Sequence, residues 1–215
     1  YANFGANREL LEDLLLFTSS RDKKMVSLEE YVSRMSDDQK EIYYVSGETV
    51  DKCDKLPQAE CVKEKGFEIL YLVDDVDEFV LSVLNSYKEK TFKAINQGDL
   101  DLSSDEEKEA LKSKAEEKKD LLTSLKDALK EQVVDVRLSS RLKSHPVCLV
   151  ADEGISLEME KVLAQMPDAN NQVKAKRILE LNSDHPLIDA LSKVDSTKVS
   201  NYAKLLYNQA LLIEG

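Results

Sequence analysis

Two short runs, "IYYV" at 42–45 and "FEILYLV" at 67–73, constrain the fold of this chain more than any other feature. Both are rich in the aromatic and β-branched residues that suit a pleated, half-buried surface. Residues 46–66 between them have helical character, and Gly66 introduces the second run. So long a separation does not suit a hairpin. It predicts a right-handed βαβ crossover joining parallel strands. After the second run, "DDVDEFVLSVLNSY" resumes helical spacing through Val76, Phe79, Val80, Val83, Leu84 and Tyr87. Residues 39–98 therefore read as a small three-layer α/β/α subdomain.

The flanks carry other periods. "ANRELLEDLLLF" at 6–17 places Leu10, Leu14 and Phe17 on one side with Leu11 and Leu15 beside them, which predicts a helix. "SLEE" at 27–30 is a capping box, in which the Ser27 hydroxyl accepts from the amide of residue 30 and Glu30 reaches back to the Ser27 amide. Leu28, Tyr31, Val32 and Met35 follow it at helical spacing, so residues 1–38 read as a helical connector. Residues 99–215 form a further domain. They open with a long charged helix from near Ser104, with Leu111, Ala115, Leu122, Leu125 and Leu129 as a narrow seam. Its Glu/Lys pairs each add only ~0.2–0.5 kcal/mol. "VVDVRLS" (133–139) and "PVCLV" (146–150) read as strands, and "RILEL" (177–181) as a third strand or the end of a helix. Further helices are expected at 155–166, 186–194 and 198–213. The fold class is thus α/β and α+β, a small α/β/α subdomain joined by a long charged helix to a mixed α+β domain.

Composition excludes several functions. With 30 basic against 42 acidic residues the net charge is −12, which argues against nucleic-acid binding, because phosphate contacts need clustered Lys and Arg. No apolar run approaches the ~20 residues of a membrane-spanning helix, and no basic-then-apolar leader opens the chain. A cytoplasmic protein is expected. Cys53, Cys61 and Cys148 are odd in number and lack CxxC spacing, which suits reduced thiols. Tyr1 and the apolar helix running up to Gly215 read as the ends of a fragment.

Candidate chemistry is sparse. The six glycines form no GxGxxG, GxxxxGK[ST] or GxSxG motif, so no cofactor is expected in this chain. His145 and His185 each precede a proline and lack metal-ligand spacing, which favours structural roles in turns. Asp74, Asp75, Asp77 and Glu78 follow the second β-type run, where an α/β fold could place a Mg²⁺ site. The alternative, that Asp74 or Asp75 caps the next helix and the others favour its dipole, demands no further ligands and is preferred. In "GISLEMEKVLAQMP", Ile155, Met159, Val162, Leu163 and Met166 fall within about 100° of a helical wheel. That stripe is either core or a contact surface; its two methionines, which adapt to varied partners, favour contact.

Four blocks, "VSLEEYVSRMSDDQKEIYYVSG", "KGFEILYLVDDVDEF", "VVDVRLSSRLKSHPVCLV" and "ILELNSDHPLI", resemble the ninety-kilodalton heat-shock chaperone family, most closely its bacterial members, in the same order along nearly the whole chain. The resemblance implies that residues 1–98 are the later part of the middle domain and that the rest is the carboxy-terminal dimerisation domain, without its last helix. It implies a homodimeric parent that uses ATP and Mg²⁺ to clamp around non-native client proteins. The nucleotide-binding domain and the arginine segment that completes the ATPase site are expected to lie outside this chain, which is then not itself an enzyme. Clients would be contacted through Glu78 and Phe79 on one side and Ile155, Met159, Val162, Leu163 and Met166 on the other. Tyr202, Leu205, Leu206 and Leu212 of the 198–213 helix would serve dimerisation. Phe79 stands where close relatives can carry Trp, and Ile155 where they can carry Met. The acidic tail that anchors co-chaperones of eukaryotic members is not expected in a bacterial-type member. Two rival readings remain: a connecting and dimerising module without a client site, and a Mg²⁺-dependent enzyme built on Asp74, Asp75 and Asp77.

Overall fold

The computed structural model describes residues 7–100, 102–165 and 173–215. It is a mixed α/β structure with two mixed sheets. The chain divides into two units, the first built from Tyr1–Lys55 and Val62–Ile95, the second from Leu56–Cys61 and Asn96–Gly215.

The first unit holds α1 (Arg8–Leu11), β1 (Leu16–Ser19), β2 (Met25–Ser27), α2 (Leu28–Ser33), β3 (Ile42–Ser46), α3 (Val50–Lys55), β4 (Ile69–Leu72), α5 (Asp77–Leu84), β5 (Ser86–Tyr87) and β6 (Lys90–Ala94). The short helix α4 (Glu60–Glu64) begins in the segment assigned to the second unit. The six strands form one sheet in the order β2-β1-β4-β3-β6-β5. β3 and β4 are parallel, Tyr43 opposite Ile69 and Val45 opposite Tyr71, as the spacing of their two runs requires. β4 is buried along its length, which explains its unbroken apolar character. The capping box at Ser27 forms with both its hydrogen bonds, Glu30 N to Ser27 Oγ at 3.1 Å and Ser27 N to Glu30 Oε2 at 2.8 Å. Gly47, just past β3, permits a close approach, since a Cβ there would stand 2.8 Å from the buried Cys53 sulfur.

Two expectations are corrected in this unit. Helix α1 lasts one turn, and a 3₁₀ turn at Glu12–Leu14 leads into strand β1 instead of a helix to Phe17. Phe17 and Ser19 are buried on alternate positions between β2 and β4, so sheet pairing overrides the helical spacing of the leucines. The helix read through Tyr87 ends at Leu84. Asn85 takes a positive φ, and Ser86–Tyr87 pairs antiparallel with β6.

The second unit contains α6 (Asp105–Glu117), α7 (Lys119–Ala128), β7 (Asp135–Leu138), β8 (Val147–Ala151), α8 (Leu157–Ala164), β9 (Arg177–Leu181), α9 (Pro186–Leu191) and α10 (Ser196–Glu214). The charged helix starts at a second capping box, Ser104 with Glu107, and is broken at Lys118 into α6 and α7. All five seam residues meet the same apolar core: Leu125 and Leu129 are fully buried and Leu111, Ala115 and Leu122 pack against it. "RILEL" is the central strand β9, parallel to β7 and antiparallel to β8. Both histidines hold turns. His185 is the N-cap of α9, its Nδ1 accepting from Leu187 N at 3.2 Å.

His145 donates from Nδ1 to Glu60 at 2.7 Å, an acceptor-only carboxylate that also receives the amides of Lys143 (2.8 Å) and Ser144 (2.9 Å) and the Ser144 hydroxyl. Burial alone would raise the Glu60 carboxyl, but these hydrogen bonds outweigh it and hold it down at about 2. A carboxyl depressed on folding stabilises the folded state above its unfolded range and loses that contribution as pH falls through the folded value. Thermal unfolding followed from about pH 5 down to about pH 2 is therefore expected to show a fall in Tm that Glu60→Gln flattens. Equal slopes for the two proteins would refute the assignment.

Candidate functional site

In the second unit, Ser156 caps α8, its hydroxyl accepting from Met159 N at 2.9 Å. One face of the helix is tied down. Leu157 is its buried residue, and Glu160 accepts from Ala175 N at 3.0 Å and pairs with Arg177 at 2.8 Å. At 100° per residue, Met159, Val162 and Leu163 fall on the opposite side from Leu157, and all three are half-buried. Ile155 precedes the cap and packs against the apolar core. Met166 lies outside the described residues. Leu157, which the sequence stripe left out, is what anchors the helix.

Helix α10 shows the same division. Val199, Ala203, Leu206 and Ala210 recur at heptad-like spacing and are buried in the core of the unit, so Leu206 is held by the chain itself. Beside them runs an exposed apolar row: Tyr202 at 38%, Leu205 at 62% and Leu212 at 84% accessible. Near its end, Glu214 accepts from Gln58 at 2.5 Å, and burial pushes its carboxyl up to about 7.

In the first unit, α5 has no side-chain cap. Its N-cap is Val76, so neither Asp74 nor Asp75 plays the capping role expected of it. Instead Asp77, in the first turn, accepts from Asp74 N at 3.3 Å, and burial pushes its carboxyl up to about 6. Glu78 is buried and accepts from Ser46 at 2.9 Å, so its carboxylate faces the protein. Leu81 and Leu84 share its side, whereas half-buried Phe79 lies on the other with exposed Val76 and Val83. Asp74, Asp75 and Asp77 do not fit a hard divalent cation: among the described residues no three His, Cys, Asp or Glu side chains converge. The thiols are buried and unpaired with one another. Burial, reinforced by Glu180, pushes Cys148 far up, and Cys61 rises to about 11 by burial.

Comparison with known proteins supplies the family. The family model described as "Hsp90 protein" matches residues 3–215. The chain belongs to the Hsp90 family. It is 55% identical over its whole length to "Chaperone protein HtpG" of Clostridium acetobutylicum, 54% to that of Halalkalibacterium halodurans and 51% to that of Bacillus subtilis. It covers 34% of the first of these and 35% of the other two, so it spans about a third of the length of these Hsp90 relatives. No helix among the described residues of this Hsp90 chain is long and apolar enough to cross a membrane.

Proposed function

We propose that this chain supplies client-contact and self-association surfaces to an ATP-driven, cytoplasmic chaperone of the Hsp90 family. In this reading residues 39–98 form the small α/β/α part of the middle domain, to whose sheet residues 1–38, expected as a helical connector, add strands β1 and β2, and residues 99–215 form the dimerisation domain. ATP and Mg²⁺ belong to other parts of the whole protein, in keeping with the lack of a phosphate-cradling motif in this sequence.

The observation that carries the proposal is the exposed row on α10. A helix that buries one heptad-like face in its own unit and leaves Tyr202, Leu205 and Leu212 exposed beside it has a second face suited to another helix. Leu205→Asp/Leu212→Asp is expected to abolish self-association in sedimentation equilibrium with the far-ultraviolet dichroism unchanged. A wild-type chain that stays monomeric, or a variant that associates equally well, defeats this half of the proposal.

The client-contact half rests on Phe79 with Val76 and Val83 on α5, and on Met159, Val162 and Leu163 on α8. Each is a separate apolar surface. Burial of a Leu or Met side chain contributes ~1.5–3 kcal/mol before ordering costs, so several together give weak, adaptable binding. Met159→Ser/Leu163→Ser is expected to stay folded and to lose suppression of aggregation of a heat-denatured test protein, read by light scattering. Unfolding of the variant would mark the row as core, as the connecting-module reading requires; a folded variant that protects equally well would move client contact elsewhere.

A further inference from the structure

A cleft of about 380 Å³ opens in the first unit, lined among others by Ser20, Arg21, Arg34, Ser36, Lys63 and Glu68. Its size lies at the lower end of the range for small-molecule sites. In a chain of net charge −12 this lining carries three cations and one carboxylate. The carboxylate is committed: Glu68 accepts both arms of Arg34, Nε at 3.1 Å and Nη2 at 2.5 Å, and the Ser19 hydroxyl as well. Arg34 and Glu68 therefore cancel, and the field in the cleft is set by the remaining groups.

Those groups leave positive charge over. Lys63 pairs with Asp54 at 2.8 Å, but Asp54 is shared with Lys23, also at 2.8 Å, and accepts from the Tyr71 hydroxyl at 2.6 Å. Lys63 also donates to the Asp54 backbone carbonyl and Asp51 adds its charge at Lys23, so the positive charge left over at the cleft is chiefly that of Arg21. Arg21, after β1, forms no ion pair with any described residue and is exposed, its backbone fixed by an amide hydrogen bond to Ser19 Oγ at 3.0 Å. Gly66, at the rim with φ +75°, has nothing within 4 Å of where a Cβ would stand, so the backbone there leaves the cleft open. Phe67, stacked on Tyr43 at 5.8 Å between ring centroids, gives it an apolar wall.

We propose that this cleft binds a small molecule through an oxyanion, a phosphate or carboxylate group, with the Arg21 guanidinium as principal donor and Lys63 and the Ser36 hydroxyl completing the cradle. A guanidinium suits this task because its planar fork meets two oxygens of such a group at once. The site is independent of the apolar surfaces proposed for clients and self-association.

Titration of the isotopically labelled 215-residue chain with inorganic phosphate, and separately with citrate, at constant ionic strength tests the proposal by the movement of amide resonances. Saturable movement of Arg21, Ser36 and Gly66 in the millimolar range is expected. Arg21→Gln should weaken binding about tenfold and Arg21→Lys less, because a point charge replaces the fork. Arg21 is exposed, so both variants are expected to keep the wild-type dichroism; Ser36→Ala, expected to weaken binding about threefold, supplies a second probe. Phosphate alone binding identifies a phosphate ester, citrate alone a carboxylate, and both an oxyanion of either source. Movement linear to about 20 mM, or an affinity unchanged by Arg21→Gln, overturns the assignment.

Discussion

Glu180→Ala is expected to destabilise the second unit by about 3–5 kcal/mol, because it breaks a buried ion-pair network by removing the carboxylate at its centre. Glu180 lies in the central strand β9 and is 1% accessible. Its Oε1 accepts from Arg137 at 2.8 Å; its Oε2 accepts from Ser139 at 2.7 Å and lies 3.0 Å from Nε of Arg141, itself 1% accessible. Removal of the carboxylate takes one acceptor from Arg137, Ser139 and the buried Arg141 together, at a place in the interior where water does not replace it, while the Gly98 carbonyl, 2.6 Å from Nη2, still holds Arg141 in position. Chemical denaturation followed by far-ultraviolet dichroism measures it. Glu180→Gln should retain the Ser139 contact but still lose the charge, so a loss well above 1 kcal/mol is expected there too. A loss below about 1 kcal/mol for Glu180→Ala would mean that Arg141 reaches water when the pair is broken.

Tyr31→Phe should destabilise the first unit by about 2–4 kcal/mol, although it removes one oxygen and leaves the ring in place. The Tyr31 hydroxyl donates to the Glu68 carbonyl at 2.7 Å and accepts from Gln39 Nε2 at 2.9 Å and from Tyr43 N at 3.0 Å. Tyr31 is wholly buried, so its loss deprives a β3 amide and a β4-side carbonyl of a partner where water cannot replace it. Burial pushes the Tyr31 hydroxyl far up, so the group stays protonated and donating across the ordinary pH range. Unfolding in urea should show the loss in the first unit at unchanged m-value; a loss under about 0.5 kcal/mol would show that the hydroxyl is dispensable.

Tyr31 illustrates how far the sequence could be read. Its apolar spacing in α2 identifies a core position, and it is one. Its role as the hydrogen-bonding hub between α2, β3 and β4 depends on which backbone groups the tertiary fold brings to the hydroxyl. Glu180 repeats the point: "RILEL" has a strand composition, but only the pairing of β9 between β7 and β8 surrounds its glutamate with Arg137, Ser139 and Arg141.

The missed hairpin at β5 and β6 has a local reason. Its central residues Lys88 and Glu89 both take positive φ, 46° and 64°, a conformation normally announced by Asn-Gly or Asp-Gly. Without that signal, and with Leu84 and Tyr87 at helical spacing, the chain reads as one helix. On α8 the stripe was visible, but the wheel could not say which side faced inward. Leu157, Glu160 and their partners Ala175 and Arg177 decide that, and the last two are distant in sequence.

What the sequence by itself determined are the features whose cause lies within a few residues or one segment. These are the capping box at Ser27 and the helix start at Ser104, the parallel pairing demanded by the spacing of "IYYV" and "FEILYLV", the narrow seam of the charged helix, and, through its four ordered blocks, the Hsp90 family. Only the tertiary structure decided that the leucines before Phe17 give way to strand β1, that Glu78 turns inward to Ser46, that Leu206 is core while Leu205 is exposed, and that Arg21 stands at the rim of a cleft. Periodicity ranks the faces of an element by polarity. Which face is buried, and which carboxylate answers which cation, depends on groups far apart in the chain whose proximity is settled only when the elements pack.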